Sequence, residues 1–391
     1  MSSRLRVMVE GWRFLNHSYA VSNRHYLEHL LKDRRLEVFH REMPYFRPEW
    51  QAVPAAMFPP SLQAALALPQ ASALERVDWT VRFDFPHRLS PPREGKVLVF
   101  MTSEYSRLNL ENIAPGMSLW EAAQDDRVYV LTPSVWSAKG IELSGFPAEK
   151  IWVVHHGVEG TSFIPTLQPT KKNIRERLGI GVDEHVVLNV GAGTFNKGLD
   201  LVVKAFAQQL EQPSYGARKT RLVIKGLDAI YGNALSNIAK LTDVQGDLTK
   251  LLEQQAVLYI GSDLSESQMD ELYRLADTYL TPYRAEGFNI PALEAAARGL
   301  RVVATGGGST DDFLPCFSNA EMIGSDLATL PNRLGYLEPR SSELSAALDR
   351  AQQLSILNFP NEINADQKMR FSWAAVTHQL SQRLVGFPYR G

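Results

Sequence analysis

The 391 residues are too many for one hydrophobic core of ordinary size and suit two domains. With 45% hydrophobic residues, 21% charged residues and a formal net charge of -2, the composition is that of a globular protein; it excludes bulk attraction to nucleic acid and leaves at most peripheral membrane contact. A single cysteine, Cys316, excludes an internal disulfide framework and a cysteine-built zinc site, and fits a cytoplasmic setting.

In chain order, the N-terminus lacks the apolar run and cleavage site of a secretory signal, so export is not expected. Short apolar strands are predicted at Leu5 to Val9, Lys96 to Met101, Val128 to Thr132 and Ile151 to Val154, with a helix around Ser22 to Leu31. The most apolar stretch, Ala52 to Leu68, is broken by Pro54, Pro59 and Pro60 and cannot span a bilayer. Residues 41 to 75 read as an irregular excursion. From Glu159 to Pro169 the chain is rich in Thr, Pro and Gly, which places a hinge near Pro165.

A second series follows: strands at Val186 to Val190, Leu222 to Lys225, Val257 to Ile260, Thr278 to Thr281 and Val302 to Ala304, with helices at Leu199 to Leu210, Glu266 to Ala276 and Pro291 to Arg298. Strand and helix alternate in both halves, which predicts an α/β protein of two doubly wound parallel-sheet, Rossmann-like domains facing across a cleft. The expected division is residues 1–165 as an acceptor-side domain and 166–371 as a donor-binding domain. Trp373, Val376, Leu380 and Leu384 at helical spacing predict that helix 372–391 packs back on the first domain.

The densest motif is Glu286-Gly287-Phe288-Asn289-Ile290-Pro291-Ala292-Leu293-Glu294. Proline favours the first turn of a helix, so free backbone N–H groups of the helix end should meet a diphosphate near Gly287, Phe288, Asn289 and Ile290. Glu294, one turn in, and Glu286, in the loop, then suit hydroxyls of a ribose and a sugar rather than phosphate. A second motif, Gly191-Ala192-Gly193-Thr194-Phe195-Asn196-Lys197-Gly198, is a glycine turn ending in a lysine whose charge suits a departing diphosphate. Lys225, ending the next strand, offers a second charge. The turn lacks the third glycine of a dinucleotide fingerprint. A glycosidase built on Glu286 and Glu294 leaves the Gly–Pro helix start unexplained.

The motif and its flanks, Glu271 to Asp277 before it and Glu294 to Gly307 after it, resemble glycosyltransferase family 4, with its two glutamates separated by seven residues. The resemblance implies a GT-B type, retaining, metal-independent glycosyltransferase that needs no cofactor and takes a UDP-, GDP- or dTDP-sugar as donor. The acceptor hydroxyl would belong to a glycan, a lipid-linked sugar or a small molecule. It makes Lys197 and Glu286 the catalytic candidates, with Gly191, Gly193, Lys225, Gly287, Phe288, Asn289, Ile290 and Glu294 on the donor. Acceptor-side candidates are Gly11, His17, Arg82, Glu104 and His156. Two departures stand out: Ala192 replaces the family's usual arginine, and His156 replaces a proline or asparagine before Gly157-Val158. A related epimerase or a nucleotide-sugar binding protein without transfer activity is the alternative.

Overall fold

The computed structural model describes residues 4–72, 75–164, 166–211, 219–241, 243–356 and 365–387; Pro165, the expected hinge, lies outside them. The chain divides into two compact units, residues 1–157 with 369–391, and residues 158–368.

The first unit is a six-stranded parallel sheet. Its strands are β1 (Leu5–Gly11), β2 (Leu36–Glu42), β3 (Trp79–Phe83), β4 (Lys96–Phe100), β5 (Val128–Thr132) and β6 (Ile151–Val153), in the order β2-β1-β3-β4-β5-β6. β2 and β3 are two strands that the hydropathy pattern did not reveal. β2 is an edge strand carrying Glu37, His40, Arg41 and Glu42, so its backbone pairing with β1 is masked by polar side chains. β3 is five residues long and wholly buried. Helix Trp373–Gly386 begins at a Ser372 cap and packs on helix Ser18–Leu30, with the Trp373 ring stacked on His25 at 4.8 Å. Its Trp373, Val376, Leu380 and Leu384 are all buried, as a single apolar stripe requires.

The second unit repeats the plan with β7 (His185–Val190), β8 (Thr220–Lys225), β9 (Val257–Ile260), β10 (Thr278–Thr281), β11 (Arg301–Thr305) and β12 (Ala320–Ile323), ordered β12-β11-β10-β7-β8-β9. Near-continuous apolar runs such as Val186-Val187-Leu188 are covered on both faces, the signature of a parallel sheet inside helices. A hairpin of β13 (Ser325–Thr329) and β14 (Gly335–Pro339) is added beyond β12. The stretch read as a linker is partly structured: Gly160–Phe163 forms a turn of helix with Ser162 and Phe163 buried, and helix Gln168–Arg177 follows.

Both orders reverse at one place, between β1 and β3 in the first sheet and between β7 and β10 in the second. At such switch points the loops leaving neighbouring strands diverge and open a crevice at the carboxyl edge.

Candidate donor site at the carboxyl edge of the second sheet

The two motif loops leave β7 and β10, the strands that flank the second switch point, and they are laced together. Arg284 and Ala285 donate backbone N–H groups to the Asn196 carbonyl at 2.8 and 3.1 Å. This docking brings Lys197 against Glu286, with Nζ 2.9 Å from Oε2. Both side chains keep some exposure, 27% for the lysine and 12% for the glutamate, so the pair is open to a ligand.

Helix Ile290–Ala297 starts one residue earlier than expected. Asn289 is its cap, in the left-handed region at φ 76°, with its side chain accepting from Ala292 N and donating to Thr281 Oγ1. Pro291 therefore occupies the second helical position, where its missing N–H still costs nothing. Phe288 is buried against Phe313, with ring centroids 4.8 Å apart, so only its backbone faces a ligand. Ile290 is half-buried. Glu294, one turn in, accepts a 2.6 Å hydrogen bond from the Tyr273 hydroxyl. Tyr273 is buried, and that burial together with the Glu294 charge raises its phenol well above the ordinary range, so the phenol is a permanent donor.

Gly191 has open space where a side chain would lie, whereas a Cβ on Gly193 would collide with the Ala234 backbone. Lys225 is buried at the end of β8, paired in register with Val190; its Nζ donates to the Gly226 carbonyl. Burial pushes its ammonium down, opposed by Asp263 and Asp228.

Sequence reasoning missed what holds these loops. Arg284, two residues before Glu286, makes paired bonds of 2.8 and 2.9 Å to Asp200, bonds the Phe195 carbonyl at 3.1 Å, lies 4.3 Å over the Phe195 ring and reaches Glu338 of β14 at 3.0 Å. The partners are 84 residues apart, and only the folded switch point unites them.

The acceptor-side candidates lie in the first unit and form no comparable cluster of open charges. A Cβ on Gly11 would press on Phe83 and Asn23. His17 caps helix Ser18–Leu30, its Nδ1 accepting from Tyr19 N at 3.2 Å. Arg82 is buried, with Nε 2.7 Å from Glu10 and Nη1 on the carbonyls of Arg88 and Ser90. Glu104 is half-buried and its carbonyl receives the Trp136 indole N–H. His156 is buried 3.3 Å from Ser22 Oγ, and burial drives its imidazole down to about 3, so it stays neutral.

Comparison with known proteins bears on the same segment. Residues 170–316 match the family described as glycosyl transferases group 1. That stretch carries Lys197, Arg284, Glu286 and Glu294. Within it and around it, the chain is 32% identical over 164 residues to a D-inositol 3-phosphate glycosyltransferase of Kineococcus radiotolerans, covering 42% of this chain and 36% of the relative. It is 25% identical over 165 residues to a mannosylfructose-phosphate synthase of Agrobacterium fabrum, covering 42% and 34%. The matched segments thus span little more than a third of these relatives' own length. Over almost the whole chain the fold is that of Anabaena Alr3699/HepE in complex with UDP-glucose, with TM-score 0.67 at 15% identity, covering 98% of this chain and 100% of that one. It is also that of sucrose-phosphate synthase from Thermosynechococcus elongatus, with TM-score 0.63 at 15% identity, covering 98% and 99%. The fold is GT-B, two Rossmann-like domains, and the group 1 match supports a glycosyltransferase.

Proposed function

We propose that the chain is a retaining glycosyltransferase of family 4 type that moves a sugar from a nucleotide diphosphate sugar to an acceptor hydroxyl in the cytoplasm, with no metal. The observation that carries this reading is the Lys197–Glu286 pair set beside the start of helix Ile290–Ala297. A diphosphate there would meet the positive helix end, worth roughly half an elementary charge, and the lysine ammonium. Before the donor arrives, Glu286 balances Lys197. Once a phosphate oxygen takes the ammonium, Glu286 is released to accept from a hydroxyl of the sugar. Glu294, with one oxygen held by Tyr273, presents the other to the ribose. As the sugar–oxygen bond breaks, charge grows on the diphosphate where these donors already point, and no reorganisation is needed.

UDP-sugars rank first among the donors, because structural neighbours were solved with UDP and UDP-glucose. Transfer and donor hydrolysis assayed over UDP-, GDP- and dTDP-sugars, with and without EDTA, test the proposal. Turnover unchanged by chelator, with the anomeric configuration of the donor kept in the product, is expected. Activity lost in EDTA and restored by manganese would remove the charge role from Lys197. Nucleotide binding with neither transfer nor hydrolysis would favour a binding protein.

A further inference from the structure

The first unit carries a cavity at the edge away from its switch point. Leu5 donates its backbone N–H to the Arg35 carbonyl and β2 begins at Leu36, so the turn between helix Ser18–Leu30 and β2 lies at the amino edge of the first sheet. A cavity of about 470 Å³ lies between that turn and one face of helix Trp373–Gly386, where Ala374, Thr377, His378 and Ser381 follow at helical spacing. The C-terminal end of the first helix and the first turn of the second both border it, so their opposite dipole ends offset and side chains set the local charge.

Lys32, Asp33, Arg34 and Arg35 line the turn side. Asp33 is already satisfied: Oδ1 accepts from the Arg35 backbone N–H and from Arg35 Nε, each at 3.0 Å, and Oδ2 accepts from Arg35 Nη2 at 2.7 Å and from the Ser381 hydroxyl. The Arg35 bonds hold the Asp33 carboxyl far below its ordinary range, so this pair cancels its own charge. Lys32 reaches Glu28 Oε1 at 2.7 Å, yet its side chain is 62% exposed while Glu28 is buried, and its ammonium keeps two further donors. Arg34 is exposed and forms no ion pair among the described residues. Three cations against two carboxylates leave the cavity positive. Thr377 is the second observation: it is 2% exposed, and its Oγ1 has no hydrogen-bond partner. A threonine inside a helix ordinarily turns its hydroxyl back to the preceding turn, and a buried hydroxyl left unpaired is costly. Here it stands on the cavity wall below cationic side chains. An anion with several acceptor oxygens answers both features, and the volume leaves room for an organic group attached to it.

We infer that this cavity binds a soluble phosphate monoester, whose phosphoryl oxygens accept from Lys32, Arg34 and the Thr377 hydroxyl. Doubly wound sheets take their substrates at the carboxyl edge, so a ligand at the amino edge is neither donor nor acceptor. The inference therefore goes beyond the transfer reaction and does not rest on it.

The test is calorimetric titration of the full chain, at fixed ionic strength and with UDP in excess, using glycerol 3-phosphate, glucose 6-phosphate, inorganic phosphate and, as neutral controls, glycerol and glucose. Vesicles of phosphatidylcholine with and without phosphatidic acid form a separate arm. At least one soluble monoester should bind with UDP present, tighter than its neutral parent by about tenfold or more. The double variant Lys32→Gln, Arg34→Gln should raise that dissociation constant by about tenfold or more. Thr377→Val, which keeps the shape and removes the hydroxyl, should raise it about fivefold, and Thr377→Ser should keep it within about twofold. No soluble monoester bound, displacement by UDP, binding confined to phosphatidic acid vesicles, or an unchanged constant in the double variant would overturn the inference. UDP affinity, measured on the same variants, judges the donor site separately and should not change.

Discussion

The carboxyl edges of the two sheets have the same topology and opposite chemistry. Around the first switch point the carboxylates of Glu10 and Asp84 are buried, 4% and 6% exposed, beneath the guanidinium groups of Arg41, Arg82 and Arg88, and aromatic rings lie beside them. Around the second, one ion pair, Lys197–Glu286, is left partly open, and the saturated pair Arg284–Asp200 sits behind it as support. An open pair can exchange its partner for a ligand, whereas a closed one only fixes geometry. The comparison teaches that a switch point makes a crevice but does not decide what enters it; the state of its charges does.

The sharpest way to break that contrast is to open a closed pair. Arg284→Leu leaves Asp200 buried without its partner and should cost about 3–5 kcal/mol in urea unfolding of the second unit. A loss below 1 kcal/mol would show that the support is dispensable. Next, Lys197→Ala should lower kcat by roughly a hundredfold or more, the scale of losing one preorganised donor at a growing charge. An unchanged kcat in transfer assays would return Lys197 to a structural role.

The third effect separates the units by pH. The first unit buries His87 and His156, driven down to about 4 and about 3 by desolvation, and His40, also lowered by burial. Unfolded histidines bind protons below about 6.5 while these cannot, so stability is full above that pH and is lost as pH falls through the interval down to the folded values. Each contributes a slope of up to about 1.4 kcal/mol per pH unit. In the second unit, burial opposes ionisation of Asp277, but Lys171, His185 and Arg175 hold its carboxyl far below the ordinary range, so its contribution persists until pH falls below about 4. Domain-resolved hydrogen exchange between pH 7 and 5 should show the first unit weakening first; a parallel decline would contradict this. The smallest effect is Tyr273→Phe, which should weaken UDP binding by about 1 kcal/mol, the worth of one hydrogen bond. Calorimetry should find no further loss when it is added to Glu294→Ala.

The sequence was most legible where chemistry is local. Glu286, Gly287, Pro291 and Glu294 lie within nine residues, and a glycine turn, a first-turn proline and a carboxylate one turn later carry their own geometry. The strands β7 to β11 were legible for the same reason, since Val186 to Leu188 and Val302 to Ala304 are buried on both faces and read as apolar runs, whereas the edge strand β12, only partly buried, was not. What escaped depends on distant partners. Arg284 meets Asp200 only after β7 and β10 pair, and Tyr273 meets Glu294, 21 residues on, only once the helices on either side of β10 are folded. β2 escaped because an edge strand can carry polar residues at nearly every position. Arg82 and His156 read as site candidates by type and place, yet the fold surrounds both with their own chain; no local signal distinguishes a buried arginine beside Glu10 from one awaiting a ligand.

The return of the chain to the first unit at residue 369 has a consequence for biogenesis. On the ribosome, helix Ser18–Leu30 and its sheet emerge early, but the side chains that cover His25 and Tyr26, above all Trp373, arrive only after the whole second unit has been made. At about 5–20 residues per second that is a wait on the order of ten seconds or more, during which a surface buried in the finished protein faces water. The second unit, continuous in sequence, can fold as it emerges, so the unit that is begun last is the one completed first.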